Sequence, residues 1–489
     1  MTKIKGGYRW LVILFTWLMA GSIASAANAV LPVIKVSYDT ICRTDFNPGK
    51  MEFIYKGDTT RLDIQVRHRG SYASTFDKLS LAIKVVDANG EKRDVSFLSM
   101  RTDNYWVLDA MAVDKARMRD RVSMDLWLEF SRKPWYASLE RECINGYRGE
   151  YVNVLINGRR YGVYCLKERV DRKQLKLKKI KDGRQIRGLL YKVTSYTNST
   201  GLYDTYTTQP SDTVASWDGW ELSYPDLEDG DSITWKPLTD LIDFINKSDS
   251  ATFVDSLYDH VDLPVFIDYI LFTDLLSARD NVIKNTYLSF YNIEKYDKVT
   301  FTPWDIDHSW GRMYDSSPED DDWVLWDKNR LKQRLSDEYP CFDDSLAMRW
   351  HELRQTYFSI EHLDSLTAHY FDLLASTGAD VMETILWNSH NGITLNIKQE
   401  RQYMHDWMVR RLAILDERYP KPEDDSSALT MRKENDGSQS PFVNVYSLSG
   451  RLVSRIVRHS SECVSEQELR DLNLPKGVYL VGGRKAIVR

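Results

Sequence analysis

Cysteine is scarce in this chain of 489 residues. Its five thiols, Cys42, Cys143, Cys165, Cys341 and Cys463, are scattered, odd in number and never spaced as Cys-x-x-Cys. That pattern argues against a disulfide framework and a structural zinc site and leaves free thiols as the expected state. Three familiar catalytic signatures are missing as well: there is no Gly-x-x-x-x-Gly-Lys-Ser/Thr phosphate loop, no Gly-x-Ser-x-Gly elbow and no His-Glu-x-x-His pair. Positive charge is in deficit, with 65 Lys and Arg against 71 Asp and Glu, so a nucleic-acid partner has no electrostatic support. The local exception, Arg172 to Arg184 (RKQLKLKKIKDGR), reads as a solvated surface segment, with contact to an anionic substrate as the alternative. No internal repeat occurs.

Long apolar runs are also absent. The one at the start, Trp10 to Ala20, is short against the roughly 20 residues a bilayer needs. Lys3, Lys5 and Arg9 precede it, and the small residues Gly21 to Ala29 follow, ending in Ala24-Ser-Ala26 or Ala27-Asn-Ala29. This basic, apolar, small-residue order is that of a secretory signal peptide over residues 1–29. No transmembrane segment is expected after its removal, which takes the formal charge from −6 to −9.

What is present is a globular composition, 43% hydrophobic and 28% charged, enough for one large domain and a smaller unit. Residues 33–193 carry short alternating runs, among them Leu62 to Val66, Leu81 to Val86, Tyr151 to Ile156 and Tyr161 to Leu166. They read as a mostly antiparallel sheet with a tight turn at Asn157-Gly158. One helix is expected near Asp114 to Phe130. Ser195 to Asp231 has no period and reads as a long surface insertion. Helical spacing follows at Thr239 to Ile245 and Pro264 to Ser277, then a hairpin around Asn292 to Asp297, and helices again from about Leu346 to Tyr419. Residues 421–440 are polar and charged, as a linker is. Residues 441–489 return to short strand-like runs, so the fold class is α+β with a small C-terminal all-β domain.

The chemistry-bearing pattern is Arg279-Asp280-Asn-Val-Ile-Lys284-Asn285 after an apolar helix, followed beyond the hairpin by Thr302-Pro-Trp-Asp305-Ile-Asp307. Phosphoryl transfer in protein kinases uses an Asp at the acceptor hydroxyl, an Asn five residues on that holds a metal, and a further Asp that binds Mg²⁺. Asp280 is therefore the candidate catalytic carboxylate, with Asp305, Asn285 and Asp307 as candidate metal ligands. A metal hydrolase built on Asp305, Asp307 and His308 is a competing reading.

The span from about Asp63 to Tyr419 resembles the CotH spore-coat kinase family, an atypical branch of the protein-kinase-like fold. The resemblance is carried by Arg69-Gly70-Ser71 with Lys78, Ile83-Lys84, Trp106 to Ala110 leading to Met118-Arg-Asp-Arg121, Tyr161 to Tyr164 with Glu168, Asp280 to Asn285 and Pro303 to Asp307. It implies a two-lobed kinase-like domain over residues 30–420, with an antiparallel β-rich N-terminal lobe and a helical C-terminal lobe. It also implies ATP and Mg²⁺ as cofactors and an unidentified protein substrate phosphorylated on side-chain hydroxyls. Lys84, Glu168 and Arg69 become candidate nucleotide-binding residues, Lys84 as the strand lysine that contacts phosphates. Two departures stand out: Gly70 is alone where a Gly-rich loop would lie, and the helix after Asp109 offers Arg117, Arg119 and Arg121 rather than a glutamate partner for that lysine. An adhesin or pseudokinase that keeps the fold without the reaction is the alternative from another class. The tail, with Tyr446 to Gly450 and Leu474 to Leu480, resembles type IX secretion sorting domains and implies contact with export machinery through 441–489. Together these features imply a secreted or cell-surface protein, with the periplasm as the other exported compartment.

The signal-peptide reading predicts a mature N-terminus near Ala27 or Val30. Intact-mass measurement or N-terminal sequencing of the exported protein checks it, and retention of Met1 overturns it.

Overall fold

The computed structural model describes residues 30–340 and 342–421 and four strand segments between 442 and 488. The signal peptide at 1–29 and the linker at 421–440, apart from Lys421, lie outside the described residues.

Alternation decides the N-terminal architecture. Buried apolar residues fall two apart in β1 (Val33–Tyr38), at Ile34 and Val36, and in the second half of β3 (Asp58–His68), at Leu62, Ile64 and Val66, while β2 (Asn47–Tyr55) between them buries Met51; this spacing gives one core face. β4 (Leu81–Val86) continues the antiparallel succession, with Val66 opposite Ile83. A short ladder of β5 (Val95–Ser96) and β6 (Thr102–Asp103) leads to β7 (Tyr105–Asp109). After helix α1 (Arg119–Phe130), β8 (Gly149–Ile156) and β9 (Arg159–Lys167) form the expected hairpin. Asn157 and Gly158 take positive φ of 48° and 79° at its turn, as a type I′ connection requires. The strands close into a barrel in the order β1-β2-β3-β4-β7-β9-β8. A parallel pairing of β1 with β8, Ile34 opposite Val154, completes it. The expected mostly antiparallel sheet is closed into a barrel with one parallel seam.

The expected surface insertion at 195–231 is instead partly built into a second sheet. β11 (Ser216–Trp217) and β12 (Trp220–Tyr224) pair beside β10 (Leu189–Val193), which is followed by β13 (Thr286–Phe290) and β14 (Val299–Pro303). Trp217 and Trp220 are buried there, and Trp235 stacks on Tyr191 with ring centroids 5.5 Å apart. Five-residue strands are too short to show a period among the polar residues around them.

The rest is helical: α2 (Lys236–Lys247), α3 (Ser250–His260), α4 (Leu263–Leu276), the single turn α5 (Asp280–Ile283), α6 (Arg330–Glu338), α7 (Phe342–Arg354), α8 (Ile360–Ser376), α9 (Ala379–Trp387) and α10 (Ile397–Arg418). Every residue of α4 except Pro264 is buried, the signature of a helix surrounded by other elements. Of its two buried acids, Asp268 is held by Arg132 at 2.7 Å and Arg349 at 2.8 Å, since a buried charge needs a partner. β15 (Phe442–Ser447), β16 (Leu452–Val457), β17 (Gly477–Val481) and β18 (Arg484–Val488) pair antiparallel in their own sheet, in the order β16-β15-β17-β18. No helix among the described residues is long and apolar enough to cross a membrane.

A buried carboxylate joins the barrel to the helices. Glu383 of α9 accepts Lys78 at 2.9 Å, the Arg117 Nε at 2.7 Å and the Val163 backbone N–H at 2.7 Å. Gly162 leaves room for it, because a Cβ there would meet the Glu383 Oε1 at 2.1 Å. Removing one member of such a group strands buried charges at a cost of roughly 3–5 kcal/mol. We expect Glu383→Ala to lower unfolding free energy by about that amount in urea titrations; an unchanged midpoint would show that water enters and solvates Lys78 and Arg117.

Candidate active site

One cleft of about 1020 Å³ is lined by both the barrel and the helical part. The Arg69-Gly70-Ser71 turn after β3, the end of β7 at Asp109, the middle of β10 at Lys192, the α5 turn and the loop after β14 all contribute to it. Of the residues expected from sequence, Asp280, Asn285, Asp305, Asp307 and Arg69 come together here.

Two of these sit on strained backbone. Asn285 and Asp305 both adopt left-handed φ, 51° and 57°, a region that non-glycine residues enter at a cost and that clusters at functional sites. The side-chain amide of Asn281 holds both turns, donating to the Asn285 carbonyl at 3.0 Å and the Trp304 carbonyl at 2.8 Å. Trp304 N–H in turn donates to the Asn285 carbonyl at 3.1 Å. Below them the Tyr269 hydroxyl of α4 donates to the Asn281 carbonyl at 2.6 Å. The side chains of Asn285 and Asp305 are therefore aimed by a rigid frame rather than by free loops.

The carboxylates differ in state. Burial works against the charge on Asp280, but the hydrogen bond and charge of His308 at 3.4 Å, the Tyr196 hydroxyl and Lys284 at 3.5 Å outweigh it and hold its pKa below the ordinary range. Asp305 goes the other way, raised by burial and by Asp120 and Asp109 against the pull of Lys167 and Arg69. Burial, with Asp305, Asp120 and Asp109 nearby, lifts Asp307 well above the carboxylate norm. Among the described residues no hydrogen-bond donor reaches the carboxylate of Asp305 or Asp307. Two half-buried, donor-free acids, with the Asn285 amide beside the Asp305 backbone at 3.5 Å, fit a hard divalent cation that completes its shell with water and phosphate oxygens. No group of three or more His, Cys, Asp or Glu side chains is arranged to hold a metal among the described residues. The hydrolase grouping of Asp305, Asp307 and His308 is not formed, since the His308 ring turns to Asp280.

Two expected nucleotide-binding residues lie elsewhere. Lys84 points away from the barrel core, and its ammonium rests 4.3 Å from the Phe46 ring and 5.7 Å from Tyr105. Alternation explains this: Ile83 and Val85 take the core face of β4, so Lys84 takes the outer one. Glu168 is buried in a structural role, accepting the backbone N–H of Arg101 at 2.8 Å and of Arg148 at 2.9 Å, and pairing with the Arg148 guanidinium at 2.8 Å. Neither lines the cleft.

The lysine beside the candidate acids is Lys167, at the end of β9. It pairs with Asp109 at 2.5 Å and with Asp120 in the first turn of α1 at 2.7 Å. The acid that the first turn of this helix supplies, Asp120, thus pairs with Lys167 rather than with Lys84, and the three arginines around it bond elsewhere. Arg117 binds Glu383, Arg119 binds Asp114 and Glu400, and Arg121 binds Asp125. Sequence reading also passed over Arg169, Lys192, Tyr196 and Glu319, which line the cleft from four separate stretches of chain. The basic segment 172–184 does not contribute to the cleft; Lys176 and Lys178 pair with Glu142 and Glu140.

Glu319 gives the site a pH signature. Burial pushes its carboxyl up to about 8 against the pull of Arg279, 3.8 Å away, and Arg411. A folded-state value above the ordinary 4.5 means that the unfolded chain releases the proton first. Stability is therefore complete below the unfolded value and is lost as pH rises toward 8. By calorimetry the Tm advantage of Glu319→Gln over the wild-type chain should widen across that interval and level off above it, and a constant offset would refute a protonated Glu319.

Comparison with known proteins follows the same residues. The profile described as CotH kinase protein matches residues 66–415, a span that holds the barrel strands from the end of β3, the cleft and the helices. Inner spore coat protein H of Bacillus subtilis (strain 168) is 26% identical over 313 residues, covering 64% of this chain and 76% of that protein. With the profile spanning most of the described cleft and core, the chain belongs to the CotH kinase protein family.

Proposed function

We propose that this protein is an exported atypical protein kinase that transfers the γ-phosphate of ATP to side-chain hydroxyls of a protein substrate. The observation that carries the reading is the convergence of Asp280, Asn285, Asp305 and Asp307 on one cleft that also bears Arg69, Arg169 and Lys192. Family membership supports it, as does the order of a β-rich part before a helical part, which a two-lobed kinase-like fold requires. Mg²⁺ held by Asp305 and Asp307, with Asn285 as a further ligand, would bridge phosphate oxygens and neutralise their charge.

The chain's own groups have distinct tasks. Asp280 receives the acceptor hydroxyl as a hydrogen-bond donor and takes its proton, as a carboxylate kept ionised by His308, Tyr196 and Lys284. Arg69, held between the charges of Asp305 and Asp109 with its guanidinium 5.5 Å from the Trp304 ring, presents positive charge to the phosphates. Lys167 fixes Asp109 and Asp120 and so supports the turn that bears Asp305. The spore-coat relative, taken with the signal-like N-terminus, supports a secreted or cell-surface location. The sheet within 441–489 is proposed to contact type IX export machinery. A pseudokinase or adhesin is the second reading, favoured by the absence of a three-carboxylate metal cluster among the described residues.

Asp305→Ala and Asp280→Ala should both abolish transfer yet fail differently. Loss of Asp305 weakens Mg²⁺-ATP binding as well as turnover, with Asn285→Ala a milder version. Loss of Asp280 leaves nucleotide binding intact while removing the roughly 10²–10⁴-fold contribution typical of a general base. Calorimetric titration and labelled-phosphate transfer on folded variants distinguish them. A wild-type chain that binds no nucleotide, or an Asp280→Ala variant with wild-type transfer, would leave the adhesin reading standing.

A further inference from the structure

Tyr196 lies in the loop after β10 and is 51% exposed, yet its hydroxyl is engaged: it donates a hydrogen bond to Oδ1 of Asp280. The loop is anchored on either side of it. Thr194 Oγ1 donates to the Gly219 carbonyl at 2.9 Å, and Thr197 Oγ1 to the Asp218 carbonyl at 2.8 Å. Burial of the phenol oxygen and the charge of Asp280 keep the hydroxyl protonated far above neutral pH, so it remains a donor. In phosphoryl transfer to side-chain hydroxyls, the catalytic carboxylate accepts a hydrogen bond from the acceptor hydroxyl. Tyr196 offers that contact from within the same chain.

We propose that Tyr196 is a phosphorylation site of this protein, modified in cis within its own cleft by a Mg²⁺-bound nucleoside triphosphate. The inference rests on the kinase reading above. The phenol oxygen bonds to the γ-phosphorus, the bond from that phosphorus to the β,γ-bridging oxygen breaks, and the nucleoside diphosphate leaves. The phenolic proton passes to Asp280 and from there to water. The product cannot keep its place, because a phosphotyrosine carries about −1.5 to −2 charge and is repelled by a carboxylate. Lys284, whose ammonium is 5.6 Å from the Tyr196 ring, and Arg279 are the neighbouring cations that receive the phosphate. The modification thereby moves Tyr196 off Asp280 and frees the acceptor position for other hydroxyls.

The test uses the full chain with Mg²⁺-ATP and peptide mapping by mass spectrometry. Expected are a phosphate on Tyr196, a modification rate per molecule that does not change on dilution, and a lag before transfer to a generic acceptor such as casein. Pre-incubation with Mg²⁺-ATP should remove the lag, and Tyr196→Phe should lose the mark and show no response to pre-incubation. Without nucleotide, fluorotyrosine placed at position 196 should shift its fluorine resonance on Asp280→Asn; an unmoved resonance removes the contact and the proposal with it. Transfer to casein with Tyr196 unmodified overturns this inference and leaves the kinase reading intact. A dilution-dependent rate overturns modification in cis. Failure to bind nucleotide in calorimetry, with no transfer to any acceptor, overturns both readings.

Discussion

Asp120 enters the protein interior from the first turn of α1, and both its oxygens are committed. Oδ2 accepts Lys167 at 2.7 Å; Oδ1 accepts the Ile306 backbone N–H at 2.9 Å and the Tyr147 hydroxyl. A barrel strand, a helix and the turn between Asp305 and Asp307 therefore meet at one carboxylate. A buried ion pair of this kind contributes little net stability once desolvation is counted, but breaking it leaves a charge stranded. Its effect is on register: the Asp305 turn cannot shift without taking the Ile306 N–H from Asp120, and α1 cannot rotate without releasing Lys167. The left-handed backbone at Asp305 and Asn285 persists because this frame and the Asn281 amide over-determine it.

Above that fixed floor the cleft mouth is apolar and exposed. Tyr72 of the barrel side meets Tyr314 of the helical side edge to face, with centroids 5.5 Å apart, and Tyr314 in turn lies 5.6 Å from the His308 ring. Arg279 stacks on Trp323 at 3.7 Å. The polar floor is held by hydrogen bonds to backbone, whereas across the mouth the Tyr72 side meets the Tyr314 side through a ring contact between exposed side chains. Any change in the spacing of the two parts therefore falls on the rim first, and the carboxylates keep their mutual positions.

The legible parts of this protein were those written in contiguous sequence. Alternation along β3 and β8 and the helical spacing of α4 gave elements close to those observed, and the clustered acids of Asp280 to Asp307 read together because one hairpin separates them. Closure of the barrel was not legible, since nothing in the residues of β1 distinguishes an edge strand from one that pairs with a strand far along the chain. The Lys84 assignment followed the position of a lysine in an apolar strand, and period two put that side chain on the outer face. Lys167 was passed over although it adjoins Glu168, because its partners Asp109 and Asp120 are brought to it only by folding. Tyr196 carried no signal in a stretch of threonines and tyrosines without period.

The seam between β1 and β8 bears on how the chain acquires its structure. Residues 33–36 pair with residues 153–156, and β9 joins β8 to β7, so the barrel cannot close until the chain has been made as far as Lys167. Until then β1, paired only with β2, is an unprotected edge, a template for pairing with other chains. Closing so long a loop is slow, because its entropy must be spent before the contacts form. Trimming that removes β1 would leave two edges open permanently, at β2 and β8. β1 therefore gains its neighbour β2 at once and its neighbour β8 only after more than a hundred further residues.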